Sequence, residues 1–148
     1  MLRESLRFPT LAATALMVAI SCGGDSGGSP PQTATVLATT ATVGGASKTI
    51  LTDSKGMTLY YFTPDKGGKV TCTGGCLAVW PPLISDSPTA GSGVTGTLTT
   101  VANPDGKGTQ VVYNGWPLYY YIKDTKPGET TGENVGGKWF VVPPDVAS

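Results

Sequence analysis

One ten-residue pattern occurs twice in this chain, 59 positions apart, and it constrains the fold more than any other feature. Gly56-Met57-Thr58-Leu59-Tyr60-Tyr61-Phe62-Thr63-Pro64-Asp65 aligns with Gly115-Trp116-Pro117-Leu118-Tyr119-Tyr120-Tyr121-Ile122-Lys123-Asp124. Gly, Leu, both tyrosines and Asp are identical, Phe62 meets Tyr121, and the same offset pairs Trp80 with Trp139. Both tryptophans lie shortly before a proline pair, Pro81-Pro82 and Pro143-Pro144. A chain with such a duplication is expected to build one supersecondary unit twice.

Each copy reads as a β-hairpin. In the second, Gln110–Tyr113 runs into Asn114-Gly115 and then Trp116–Ile122. Asn-Gly between β-forming runs is the strongest short-range hairpin signal, because both turn positions need positive φ. In the first, Thr49–Thr52 and Met57–Thr63 flank a longer turn, Asp53–Gly56. Val94–Val101 reads as a further strand, turned back by Asn103-Pro104-Asp105-Gly106, and Lys138–Val142 as the last one. No window after the N-terminal segment has helical periodicity, and the one helix candidate is the short Gly75–Trp80 stretch, stopped by Pro81. The expected class is mainly β: a small antiparallel domain of about six to eight short strands built from two repeated hairpin units, with at most one helical turn. In each repeat strand Tyr60 and Phe62 (Tyr119 and Tyr121) face one side, and Leu59 and Tyr61 (Leu118, Tyr120 and Ile122) the other. Both faces are apolar. Either both are packed, or one is an aromatic surface for a ligand or partner.

The N-terminal segment is of another kind. Arg3 and Arg7, diluted by Glu4, precede Leu11–Ile20 (LAATALMVAI), too short for a bilayer span but suited to the apolar core of a signal peptide. It ends in Ala19-Ile20-Ser21-Cys22, which resembles the lipobox of bacterial lipoproteins. The resemblance implies cleavage after residue 21 and acylation of Cys22, for example by palmitate, leaving a membrane-anchored chain. Residues 23–34 (GGDSGGSPPQTA) read as a flexible tether. Residues 35–46, rich in Thr, Ala and Val, read as more tether or a first weak strand. The expected division is a signal peptide at 1–21, a tether at 22–46 and a β-repeat domain at 47–148, with copies at about 47–83 and 108–144.

The pattern Tyr-x-[Phe/Tyr/Trp]-x-x-Asp, present at Tyr60/Phe62/Asp65 and Tyr119/Tyr121/Asp124, resembles the bacterial secreted-repeat lipoproteins described by a Tyr-x4-Asp motif. Cys72-Thr73-Gly74-Gly75-Cys76 followed by Trp80-Pro81-Pro82 resembles the same family's Cys-x3-Cys…Trp-Pro-Pro stretch. The likeness spans about residues 46–143. It implies an envelope location and a repeated β unit, and it brings no reaction with it.

Composition narrows the chemistry. The chain has 148 residues, 10 basic and 10 acidic side chains and no histidine. Without histidine there is no Ser-His-Asp or Cys-His catalysis and no imidazole for a metal. With no basic block, nucleic acid is a poor partner. Both arginines lie before Cys22, so the mature chain recognises phosphate or carboxylate without the bidentate arginine fork.

Cys72 and Cys76 in an exported protein favour a local disulfide around the Trp80-Pro81-Pro82 loop. The alternative is a redox-active dithiol or a copper(I) site, with Met57 the one methionine of the mature domain; no nearby arginine or histidine would lower a thiol pKa. Asp65 and Asp124 are either a catalytic carboxylate pair or acceptors for turn amides and a tyrosine hydroxyl. Asn103–Gly108 has a faint calcium-loop flavour but lacks the terminal bidentate Glu and reads as a turn. Lys66, Lys69, Lys123 and Lys126 read as solvated loop charges. The functional expectation is a membrane-anchored, non-enzymatic binding or structural module of the bacterial cell envelope. It would carry no cofactor or metal, and its partner, protein or small molecule, is unspecified. The alternative is a redox or copper(I)-handling lipoprotein using Cys72 and Cys76, with the aromatic cluster beside them.

Overall fold

The computed structural model describes residues 33–148. The expected signal peptide and Cys22 lie outside the described residues. Seven strands and one short helix follow in order: β1 (Val36–Val43), β2 (Ala46–Asp53), β3 (Tyr60–Phe62), α1 (Gly75–Val79), β4 (Leu98–Ala102), β5 (Thr109–Tyr113), β6 (Trp116–Pro117) and β7 (Trp139–Val141). A 3-10 turn, Thr63–Asp65, follows β3. The sheets are β1-β2, β3-β7 and β4-β5-β6, all antiparallel. The class is the mainly β, twice-repeated one expected from the sequence.

Asn114 (φ 47°) and Gly115 (φ 83°) form the tight β5–β6 turn. Positive φ at both central positions gives the turn the twist of the flanking strands, and Asn-Gly tolerates it at least cost. The expected tether extends too far. Residues 36–43 are β1, the alternative of a first strand. Threonine and alanine carry too weak an apolar signal to mark a strand, and β1 owes its order to partners on both edges. It pairs with β2 along its whole length, and Val36 and Ala38 donate their N–H groups to the carbonyls of Thr89 (3.1 Å) and Ser92 (3.1 Å).

The copies are interleaved. Val142, near the end of the second copy, donates to Leu59 O (3.0 Å) and accepts from Leu51 N (2.7 Å) of the first. Leu83, at the end of the first, donates to Leu118 O (3.0 Å) and accepts from Val111 N (2.9 Å) of the second. Each copy therefore contributes its last extended segment to the other: β7 from the second, and from the first residues 82–84, held by isolated bridges. The exchange pivots on Tyr60 and Tyr119, whose main chains bond reciprocally (2.8 and 3.0 Å).

Two cores flank the repeat strands. Tyr60, Tyr119, Tyr121, Trp80, Trp139, Ile50 and Cys72 fill the first, with Phe62 packed against it. Leu59, Leu118, Leu51, Leu83, Val111 and Val142 fill the second, with Tyr61 and Tyr120 packed against it. Strand alternation sends odd and even residues to opposite sides, and here both sides are covered. Ile122 alone of the alternating set is left out, 58% exposed.

Candidate functional site

The repeated residues converge on the first core. Tyr60 donates its hydroxyl to Asp124 Oδ2 at 2.5 Å, and Tyr119 donates its hydroxyl to Asp65 Oδ2. Each tyrosine thus serves the aspartate of the other copy. The opposite oxygen of each carboxylate is held by a threonine. Thr71 gives its N–H (2.8 Å) and its hydroxyl to Asp65 Oδ1. Thr131 gives its N–H (3.0 Å) and hydroxyl (2.5 Å) to Asp124 Oδ1. Tyr60, Tyr119 and Asp65 are fully buried, and Asp124 nearly so. Burial, reinforced by the hydrogen-bonded carboxylate, pushes the phenols of Tyr60 and Tyr119 well above their ordinary range. Of the two roles open to the aspartates, the geometry shows the acceptor one: a turn amide, a threonine hydroxyl and a tyrosine hydroxyl all bond each carboxylate inside the core.

The tryptophans meet face to face. The Trp80 and Trp139 ring centroids lie 3.8 Å apart with planes 1° from parallel. Tyr121 stacks on Trp80 (4.2 Å, 23°) and Phe62 on Trp139 (4.2 Å, 20°), making a column Tyr121–Trp80–Trp139–Phe62. Tyr60 meets Trp80 edge-on at 5.4 Å, and Tyr119 meets Trp139 edge-on at 5.2 Å. The duplicated aromatic face is therefore packed interior.

Cys72 and Cys76 form a disulfide with Cα atoms 5.3 Å apart. Cys72 is buried in the first core, with Cys76 against it. Met57 stands elsewhere, in the β2–β3 turn, its N–H donated to Asp53 Oδ1 at 2.9 Å. Asn103 closes the β4–β5 turn: its Oδ1 accepts from Asp105 N (3.0 Å), its carbonyl from Gly106 N (3.0 Å), and its Nδ2 donates to Gln110 (2.9 Å). Lys66, Lys69, Lys123 and Lys126 are exposed.

Four participants escape a motif search. Thr71 and Thr131 lie six and seven residues after their aspartates, so the one-residue difference hides them from an alignment at a fixed offset. Gly132 packs under the Tyr60 ring, and its N–H donates to Tyr60 Oη at 3.2 Å. Asp53 accepts from the hydroxyl of Tyr120 at 2.9 Å, tying the β2–β3 turn to the second copy.

An internally duplicated β-module is the class that this interleaving defines. Residues 41–84 and 99–143 both match the family described as a secreted repeat of unknown function, and with more than half of the chain matched, the protein belongs to that family. The matched segments take in the end of β1 with all of β2, and nearly all of β4 with β5, so each unit opens on strands that precede its tyrosines. Neither a curated protein nor a solved structure matches the chain.

Proposed function

We infer that the protein is a lipoprotein of the bacterial cell envelope, held to a membrane through acylated Cys22, and that its folded part is a non-enzymatic binding or structural module. The supporting observation is how the repeated polar groups are used. Asp65, Asp124, Tyr60 and Tyr119 bond to one another inside the first core. What the two copies share is a way of locking together, a property selected for a durable scaffold outside the cell. Anchoring is supported by the Ala19-Ile20-Ser21-Cys22 sequence and by membership in a secreted family. Among the described residues no helix is long and apolar enough to cross a membrane.

The test is fractionation of cells producing the full chain and Cys22→Ser, with radiolabelled palmitate supplied. The native chain is expected in the membrane fraction and labelled, and the variant soluble and unlabelled. Equal membrane recovery of an unlabelled variant would remove the anchor.

A further inference from the structure

The aromatic column has properties that packing alone does not call for. Aromatic pairs usually sit with ring centroids about 4.5–7 Å apart, yet Trp80 and Trp139 lie parallel at 3.8 Å. Two indoles in that geometry overlap their π orbitals and share a positive charge left by loss of an electron. Such a hole, buried where water cannot solvate it, is costly. A neighbouring phenol that can shed a proton relieves it, and each indole has one edge-on: Tyr60 beside Trp80 and Tyr119 beside Trp139. Each phenol already donates to a buried carboxylate. Losing an electron from the phenol and passing its proton to that carboxylate turns a buried anion into a neutral radical–acid pair. Oxidation there removes a buried charge instead of creating one.

We propose that this column is a one-electron relay that quenches small oxygen-centred radicals outside the cell, its oxidised form being a neutral tyrosyl radical on Tyr60 or Tyr119. The incoming oxyl radical takes one electron and becomes an oxyanion, which water protonates. The electron comes from Tyr121, the oxidisable ring at the column's end, or from the indoles, and the hole passes through Trp80 and Trp139. The phenolic O–H of Tyr60 or Tyr119 then breaks, its electron fills the indole hole, and its proton forms an O–H bond on Asp124 or Asp65. Phe62 closes the other end with a ring that resists oxidation. The relay is independent of lipid anchoring.

The test uses flash-generated tris(bipyridine)ruthenium(III) as the oxidant. It is carried out in a Tyr120→Phe background, because Tyr120 also bonds a carboxylate, Asp53, outside the column. Transient absorption is expected to show an indole radical converting to a tyrosyl radical, more slowly in deuterated water. Magnetic resonance of the trapped radical is expected to show an exchangeable hydrogen-bonded proton. Adding Tyr60→Phe and Tyr119→Phe should leave the hole on the indoles and slow its decay by about tenfold or more. A tyrosyl signal that persists at full yield in that variant would overturn the relay. If the variant does not fold, the background protein decides alone: an indole radical that decays without a tyrosyl, or a tyrosyl lacking the exchangeable proton, would overturn it equally.

Discussion

Tyr60 bonds Asp124, 64 residues away, and not Asp65 at the end of its own motif; Asp65 is bonded instead by Tyr119, 54 residues away. The crossing gives the duplication its physical meaning. Neither copy alone satisfies its tyrosine, its carboxylate or its last strand, so the stable unit is the pair. The motif spacing serves this arrangement. From the pivot at Tyr60 and Tyr119 the chain runs through β3 and the 3-10 turn, which brings Asp65 to the hydroxyl of Tyr119.

The Tyr60–Asp124 bond should be strongly coupled. Tyr60→Phe leaves a buried carboxylate oxygen and the Gly132 N–H short of a partner, and should cost about 2 kcal/mol. Asp124→Asn turns one acceptor into a donor facing a donor and should cost about 3 kcal/mol. Urea unfolding of both single variants and the double should give a double-variant loss smaller than the sum by about 1 kcal/mol or more. Simple additivity would mean that the bond does not hold the copies together.

Gly132 should tolerate no side chain. A Cβ there would lie 2.8 Å from Tyr60 Cε1 and Cζ and 2.9 Å from Trp80 Cη2, atoms pinned by the clasp and the ring column. Gly132→Ala should cost about 1–3 kcal/mol by overpacking and disturb the near-ultraviolet dichroism of the tryptophans. Gly75→Ala, where a Cβ meets nothing within 4 Å, is the control and should be near neutral.

Local signals were legible in the sequence, and crossed ones were not. Asn114-Gly115 specifies its turn through backbone sterics, and Pro81 bounds α1 by removing an N–H, so neighbours in sequence suffice. The choice between Asp65 and Asp124 as partner of Tyr60 is made by the exchange of the copies' last extended segments, which no local pattern records. Thr71 and Thr131 were hidden because loops of unequal length deliver them to equivalent places. β1 reads as tether because its Thr/Ala composition is that of a linker until β2 and residues 89–92 close on its edges.

The disulfide should stabilise the fold without being required for it. Copy one closes the approach to Trp80 with Trp80 N donating to Cys76 O at 2.8 Å; copy two makes the same closure with Trp139 N donating to Val135 O at 3.2 Å and no covalent bond. The Cys72–Cys76 loop is short, so removing it should cost about 2 kcal/mol by loop-closure entropy. Cys72→Ala/Cys76→Ala should therefore fold, with native tryptophan dichroism and a lower urea midpoint. Failure to fold under oxidising conditions would show that copy one, unlike copy two, depends on its staple.

High pH should unfold the domain before its buried tyrosines ionise. Burial first, and then the bonded carboxylates, raise Tyr60 and Tyr119 above the ordinary phenol value of 10.0. Burial and Asp53 do the same to Tyr120. A group raised in the folded state contributes stability that is fully present below its unfolded value and lost as pH climbs toward the folded one. Above about pH 10 the unfolded chain releases these protons while the folded chain keeps them, so stability falls, by about 3 kcal/mol per pH unit for Tyr60 and Tyr119 together. The chain has 6 tyrosines. Spectrophotometric titration should show the phenolate signal of the buried ones appearing late and abruptly, together with loss of tryptophan dichroism. Smooth ionisation of all of them near the ordinary value in a still-folded protein would contradict the buried clasp.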